Sequence, residues 1–396
     1  MYQAENGVTI WLRPSEANSL LIKVFTSEGS EEKSFSKDAI RPGVTQRIKL
    51  NGLASDTDYN YIVLAGKKKI AEGSFRTVPN SQKTGLFRLA FGSCMHKIGV
   101  HNPNLVNQIL KRKPNAMALL GDIAVDDREN NLNLHRADYL LRDVSIPWQR
   151  LAANVPLYTS WDDHDYLNND LSGIPERFTK ADREALREVW KQNWNNPVNK
   201  KEGIFFNTRI GPVELIMLDT RSCRTIEKRG EYSSYLGTGQ LNWLKEILQQ
   251  STAPYKVISS GTMWSDYIST GKDSWGTWDT LARHEIFDLI DKENIPGVLL
   301  ISGDRHGARA FKMPVTPEFS LYEFEAASLG GVPGPNALAK DKTNQLFGYK
   351  GEDIVAFGEF SFDSKGEKPL LVFRLINQFG KILEEHILVY SELMPK

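Results

Sequence analysis

The sequence predicts an α/β protein in which two mixed sheets pack together between helices, preceded by a small β-sandwich. Two observations predict this class. Short alternating apolar runs recur through residues 1–80, and from about residue 86 apolar runs alternate with segments of helical period. A chain of 396 residues is also too long for one small core, which indicates two domains.

The first predicted domain is a β-rich module at residues 1–80. Its strand candidates, separated by turn residues in the rhythm of a β-sandwich, are 8–12, 20–25, 46–50, 59–64 and 73–77. The stretch 53–61 resembles the fibronectin type III pattern, in which a tyrosine anchors a corner, and 75–79 is similar to the last strand of that module. The polar segment 80–84 is the expected linker.

The second predicted domain covers residues 81–396. Its candidates for buried strands are 86–91, 116–120, 215–218, 256–259 and 297–301. The helical patterns between them are 103–112, 131–154, 179–194, 239–250 and 279–293, and strands return at 321–325, 354–357, 370–374 and 387–390. We therefore expect two mixed sheets between layers of helices.

Composition and charge exclude some classes of function. With 49 basic and 49 acidic residues the formal net charge is zero, so we expect no general nucleic-acid binding, which depends on basic patches. No apolar stretch approaches the roughly 20 residues that a membrane-spanning helix needs. The first residues show no signal-peptide pattern, which leaves a cytosolic location and removal of a leader both open. Cys94 and Cys223 are too few for a disulfide framework.

The most informative motif is an acidic run after the strand-like segment 155–160. It reads Trp161-Asp162-Asp163-His164-Asp165 and is followed by Asn168-Asn169. Like charges this close resist ionisation unless a cation compensates them. A solvated acidic turn at a helix start is the alternative for such a run taken alone.

Ligand-type residues follow other strand candidates as well. They are Cys94 after the first, Asp122 after the second, Arg221 after a later one, and Asp304 with His306 after the last parallel-type run. Each alone is an ordinary cap or turn residue. Because ligands bind beyond the carboxyl ends of strands in open α/β sheets, their recurrence predicts one shared site.

Aspartate, cysteine and histidine together suit a pair of metal ions. Two cations roughly 3.5–4 Å apart clamp the attacking and leaving oxygens of a phosphate ester, and they lower the pKa of bound water toward about 7. A thiolate favours iron or zinc, whereas carboxylates suit calcium, magnesium or manganese. We therefore expect a mixed pair of metals.

In this order the motifs resemble the alkaline phosphatase D (PhoD-like) branch of the calcineurin-like metallophosphoesterases. The segment Asp273-Ser274-Trp275 with Arg283 is similar to that family's Asp-x-Trp…Arg segment. The resemblance covers essentially the whole chain, because the family also carries a fibronectin-like β-domain before its catalytic domain. It implies a metallophosphoesterase-type αββα sandwich.

The resemblance implies two metal ions and their ligands. Cys94 and His306 would bind the first metal, iron or zinc, and Asp122 would bridge both. Asp163 and Asp304 would bind the second, calcium or another divalent ion.

The resemblance also implies catalytic residues. His164 would donate a proton or contact the phosphate, oriented by Asp165. Arg221 would pair with phosphate oxygens through its planar fork, and a structural salt bridge is the alternative for this residue.

Two departures from the family pattern concern the metals. Val125 stands where members often carry a tyrosine that binds ferric iron, which favours zinc or another divalent ion unless Asp126 or Asp127 substitutes. Gly261 stands near the family's Asn-Gln and the superfamily's histidine, so one ligand of the second metal would be missing or supplied by water. His96 and His101 lie close to Cys94 in the sequence, and we expect them at the surface, with contact to the metal ligands from outside as the alternative.

The predicted function is metal-dependent hydrolysis of phosphate esters, with a metal-bound hydroxide attacking phosphorus in line. Monoesters and diesters both remain open as substrates. An aromatic rim of Trp264, Tyr267, Trp275 and Trp278 would stack on a nucleoside or sugar, with hydrophobic packing between domains as the alternative.

We expect a monomer, and the resemblance implies a periplasmic or extracellular location. The rival interpretation is a non-catalytic or weakly active extracellular binding protein that retains a degenerate metal site.

Overall fold

A computed structural model describes residues 1–4, 6–15, 19–38, 40–79, 85–198, 201–268, 273–363 and 370–396. The expected linker at 80–84 lies outside these described residues. The division into a fibronectin type III-like module at 1–80 and a catalytic domain at 81–396 stays a prediction.

The first strands form two antiparallel sheets. The strands are β1 (Tyr2–Ala4), β2 (Gly7–Leu12), β3 (Leu20–Thr26), β4 (Glu31–Lys37), β5 (Gln46–Asn51), β6 (Asp58–Ala65) and β7 (Lys68–Arg76). One sheet has the order β1-β2-β5 and the other β4-β3-β6-β7. Burial alternates along β3, as expected for a strand with one face on a core. The hydroxyl of Tyr59 accepts a hydrogen bond from the Ala54 backbone N–H at 3.0 Å, at the turn before β6.

The remaining elements alternate strands with helices. The strands are β8 (Leu86–Gly92), β9 (Ala116–Leu120), β10 (Leu157–Ser160), β11 (Phe206–Ile210), β12 (Val213–Met217), β13 (Tyr255–Ser259), β14 (Val298–Ser302), β15 (Gly307–Pro314), β16 (Ser320–Ala327), β17 (Gln345–Lys350), β18 (Ala356–Asp363), β19 (Leu370–Asn377) and β20 (Ile382–Val389). The helices are α1 (His96–Val100), α2 (Pro103–Arg112), α3 (Leu132–Val144), α4 (Ile146–Asn154), α5 (Asp163–Tyr166), α6 (Lys180–Asn193), α7 (Gly237–Gln250), α8 (Trp275–Trp278) and α9 (Thr280–Lys292).

These strands form two mixed sheets, as predicted. The first has the order β10-β9-β8-β18-β19-β20, with β8, β9 and β10 parallel. The second has the order β11-β12-β13-β14-β16-β15-β17, with β12, β13, β14 and β16 parallel. The parallel strands β9, β13 and β14 are buried along their whole length, which explains the nearly continuous apolar sequences of β9 and β14.

The two sheets face each other across an aromatic core, and helices cover their outer faces. The ring centroids of Tyr255 in the second sheet and Phe362 in the first are 4.6 Å apart, and those of Phe324 in the second sheet and Phe373 in the first are 4.3 Å apart. Separate apolar clusters join the first sheet to α2, α3, α4 and α6, and the second sheet to α7, α8 and α9. The result is the predicted αββα sandwich.

The single helix predicted at 131–154 is wrong, because the structure breaks it at Ser145. Ser145 is extended (ψ 120°) and caps α4, and Pro147 follows within the first turn of that helix. Proline has no N–H to donate to the preceding turn, so it fits the start of a helix but not its interior. Among the described residues, no helix combines the length and the apolar character needed to cross a membrane.

Candidate metal centre

The ligand-type residues meet because they follow the carboxyl ends of parallel strands. Cys94 follows β8, Asp122 follows β9, and Asp163 begins α5 shortly after β10, all in the first sheet. Asp304 and His306 lie in the turn between β14 and β15 of the second sheet. Since the two sheets pack face to face, these ends approach one another at one edge of the sandwich.

The backbone at this edge is held in an uncommon conformation. Cys94 (φ 53°), Asp122 (φ 56°), Asp304 (φ 73°) and His306 (φ 35°) all have positive φ without being glycine. Each such residue costs of order 1 kcal/mol or more, and residues of this kind cluster at functional sites.

Four residues form a first group of potential ligands. Cys94, His96, Asp122 and His306 each offer one ligand atom, and these atoms lie within 4.8 Å of one another. The Cys94 Sγ is 3.5 Å from Asp122 Oδ2. The Nδ1 of His306 lies 2.6 Å from the carbonyl oxygen of Pro333, an arrangement in which Nδ1–H donates and Nε2 presents its lone pair.

Carboxylates form the adjoining groups. Asp162, Asp163 and Asp304 offer oxygens within 4.8 Å of one another, and Asp122 lies within the same distance of Asp163 and His164. Asp122 thus belongs to both the sulfur- and nitrogen-containing group and the neighbouring carboxylate group. Such a shared carboxylate is what a bridged pair of cations requires.

The electrostatics of the centre fit bound cations. Burial raises the pKa of Asp122 and of Asp304 well above the usual value, and neighbouring carboxylates raise both further. Burial, followed by the charge of Asp122, likewise raises the pKa of the Cys94 thiol. Among the described residues, the buried atoms Asp122 Oδ1, Asp162 Oδ2, Asp163 Oδ1 and Asp304 Oδ2 have no hydrogen-bond partner. Converging buried oxygens of this kind are normally paired, and cations would satisfy them.

Arg221 provides positive charge inside this cluster. Its side chain is fully buried, with Nε 2.5 Å from Asp162 and Nη2 3.2 Å from Asp304 and 3.6 Å from Asp163. It also pairs with Asp273, which Arg224 contacts as well. The structure therefore favours the salt-bridge alternative for Arg221 over direct contact with phosphate.

Asp127, not Asp165, orients the ring of His164. The Nδ1 of His164 lies 2.9 Å from Asp127 Oδ1. The Asp165 carboxylate instead accepts backbone N–H bonds from Asp122 at 2.5 Å and Ile123 at 3.3 Å, so the predicted contact between Asp165 and His164 is wrong. The same carboxylate accepts the Asp162 N–H at 3.4 Å, at the start of α5, as an acidic side chain in the first turn of a helix commonly does. It thereby ties α5 to the loop after β9.

The protonation of His164 follows from these neighbours. Burial lowers the pKa of His164, but the carboxylates of Asp163 and Asp127 outweigh burial and raise it above the usual value. A protonated imidazole beside Asp127 is suited to give a proton to a leaving oxygen.

The prediction of a position at the surface is confirmed for His101 and is wrong for His96. His101 is exposed, but His96 is 9% exposed and lies in the first ligand group. Burial lowers the pKa of His96 to about 4, with His164 and His306 adding to the effect. The Cys-x-His spacing directly after a strand is the signal that could have identified it.

The two departures from the family pattern have structural explanations. The side chain of Val125 is fully buried in the apolar cluster under the first sheet and offers no donor. At Gly261 a Cβ atom would come within 2.5 Å of Thr220 Oγ1 and 2.6 Å of Asp162 Oδ1. The Asp162 carboxylate thus stands in the space that a side chain at 261 would need.

The predicted aromatic rim is wrong for its three tryptophans, whereas Tyr267 is partly buried and its hydroxyl accepts a hydrogen bond from the Asn344 side-chain amide at 3.1 Å. Trp264 and Trp275 are fully buried and Trp278 is 6% exposed, all within the cluster that joins the second sheet to α8 and α9. The ring centroids of Trp264 and Trp275 are 4.5 Å apart. These side chains pack between a sheet and its helices rather than between domains, so they are not available to stack on a substrate.

Comparisons with known proteins agree with this architecture. The sequence model of the PhoD-like phosphatase family matches residues 107–356. Alkaline phosphatase D of Bacillus subtilis (strain 168) is 22% identical over 358 residues, covering 76% of this chain and 60% of that protein. The chain thus spans less than two thirds of the length of this relative.

Solved structures share the fold. The structure of PhoD matches with a TM-score of 0.75 at 18% identity, over 98% of this chain and 87% of that one. Purple acid phosphatase PPD1 from yellow lupin seeds matches with a TM-score of 0.71 at 12% identity, over 99% of this chain and 74% of that one. At these identities the likeness concerns the fold, and it confirms the predicted fold class.

Proposed function

The chain belongs to the PhoD-like phosphatase family, and from this premise we propose that it hydrolyses phosphate esters in a metal-dependent reaction. The observation that carries the proposal is the position of Asp122, which belongs to two adjacent ligand groups of different chemistry. Cys94 and His306 would hold iron or zinc, and Asp163 with Asp304 would hold calcium or another divalent ion, with Asp122 shared.

The bound cations would supply an acidified water as nucleophile and would neutralise charge on the phosphate. Side chains of the protein would supply the proton for the leaving group and would position the metal ligands. His164, held by Asp127, would give a proton to the leaving oxygen. Arg221 would act as a positioning residue, because its guanidinium keeps Asp162 and Asp304 fixed at hydrogen-bond distance.

Removal of metal tests this proposal. We expect chelator treatment to lower hydrolysis of 4-nitrophenyl phosphate or bis(4-nitrophenyl) phosphate by at least about 10³-fold, since electrostatic stabilisation of the transition state is lost. Addition of zinc with calcium or manganese should restore the rate. The ratio of the two rates separates a monoesterase from a diesterase. Full activity in protein shown to be free of metal would exclude the proposal, and no turnover in metal-loaded protein would favour the binding-protein interpretation.

The role of His164 predicts a dependence on the leaving group. We expect His164→Asn to slow hydrolysis of phenyl phosphate by about 10²- to 10⁴-fold, because its leaving oxygen needs a proton. The loss should be much smaller for 4-nitrophenyl phosphate, whose leaving group is stable as an anion. Asp127→Asn should show the same pattern at lower amplitude. Equal losses on both substrates would mean that His164 contacts the phosphate without donating a proton.

A further inference from the structure

The geometry points to His96 as a protein ligand of the first metal, beside Cys94, Asp122 and His306. We infer that this set of one sulfur, two nitrogens and one oxygen takes a borderline-soft divalent ion such as zinc. The inference rests on the proposed function, since it concerns the same centre, but it assigns a residue that the motif pattern does not.

The backbone holds His96 against the bridging carboxylate. The His96 N–H donates to the carbonyl oxygen of Asp122 at 2.9 Å, and the Cys94 N–H donates to that of Gly121 at 3.1 Å. His96 has a φ of 46° and Cys94 one of 53°, both left-handed. Met95 between them is fully buried in the apolar cluster under the first sheet, whereas Cys94 and His96 both join the ligand group.

The imidazole of His96 is buried, and one of its two nitrogens lacks a hydrogen-bond partner. Its Nε2 is shielded from solvent and has no partner among the described residues. Its ring stands nearly perpendicular to the rings of His164 and His306, at centroid distances of 5.3 and 5.5 Å. Buried polar atoms are normally satisfied, and His96 has an unpaired ring nitrogen and offers one ligand atom within 4.8 Å of those of a thiol, a carboxylate and a second imidazole. Together these observations indicate a shared cation.

The donor set determines which ion fits. Val125 supplies no oxygen ligand, because its side chain lies in the apolar cluster. His96 adds a second imidazole nitrogen to the set instead. Zinc is bound by thiolate, imidazole and carboxylate ligands, whereas calcium and magnesium require oxygen ligands throughout.

Cobalt substitution tests the assignment. Metal-free full-length protein would receive one equivalent of Co²⁺, whose visible bands report ligand number and whose sulfur-to-metal band identifies the Cys94 site. We expect His96→Ala to weaken cobalt and zinc binding by at least about tenfold, by comparison with the loss caused by removing an outer partner. The ligand-field bands of cobalt bound to His96→Ala should shift, while the sulfur-to-metal band persists. His101→Ala, which alters an exposed histidine five positions later, should match the unmodified protein.

Added imidazole provides a second readout that does not depend on enzymatic turnover. We expect it to restore the original cobalt spectrum in His96→Ala and to leave His101→Ala unchanged. Matching circular dichroism of the metal-free proteins would establish that both variants fold. Unchanged affinity and spectrum in a folded His96→Ala protein that still hydrolyses phosphate esters would overturn only the ligand assignment. If the unmodified protein binds no metal, the proposed function and this inference both fail.

Discussion

Asp122→Asn should lower kcat for phosphate-ester hydrolysis by at least about 10³-fold, the largest effect on activity that we expect. Asp122 is 1% exposed and is the residue common to both ligand groups. An amide keeps the size of the side chain but removes the negative charge that two adjacent cations would share. The number of metals bound per chain should therefore fall together with the rate.

Asp138→Asn is a matched control for this variant. Asp138 is also buried, at 4% exposure, and pairs with Arg128 at 2.7 Å, but it belongs to none of the ligand groups. We expect it to reduce stability and to leave metal content and kcat unchanged. Normal turnover by Asp122→Asn, with two metals still bound, would show that Asp122 is not the bridging ligand.

Arg221→Met should destabilise the metal-free protein by about 3–5 kcal/mol, as measured by denaturant unfolding. The substitution removes the guanidinium while Asp162, Asp163, Asp273 and Asp304 remain buried around it. Breaking a buried ion pair from one side leaves charge without compensation. Bound cations would compensate part of that charge, so metal should stabilise Arg221→Met more than it stabilises the unmodified protein.

Arg309→Met distinguishes this effect from the general cost of removing a buried arginine. Arg309 pairs with Glu325 at 2.5 Å, and both side chains are fully buried. Arg309 has no carboxylate partner in the ligand groups, so we expect a similar loss of stability that metal does not relieve. An equal response to metal in both variants would argue against a cation beside Arg221.

The fold class was predictable because two of its signals are local. Strands buried on both faces have continuous apolar sequences, as at β9, whereas strands with one buried face alternate, as at β3. The proline that breaks the predicted helix at Ser145 was also visible in the sequence. The helical period before and after it is consistent with either one helix or two.

Much of the centre was predictable because parallel strands end at the same edge of a sheet. The groups that contain Cys94, Asp122, Asp163, Asp304 and His306 lie where their positions after strands placed them. Their individual roles stay predictions.

The partners of these residues were not predictable, because they depend on loop conformation. The pair between Asp127 and His164 requires the loop after β9 to fold back, with the Asp127 N–H donating to the His164 carbonyl at 3.3 Å. The burial of His96 requires left-handed backbone at two non-glycine residues. The ion pairs of Arg221 join segments up to 83 positions apart.

The central claim is tested most directly by titrating metal into metal-free protein while following bound metal and hydrolysis together. We predict two cations bound per chain and a rate that reaches its maximum only when the second site fills. In Asp122→Asn we predict fewer bound cations and, at every metal concentration, a rate at least about 10³-fold lower. Maximal turnover in the metal-free protein, or a rate that does not change as metal binds, would contradict the two-metal account.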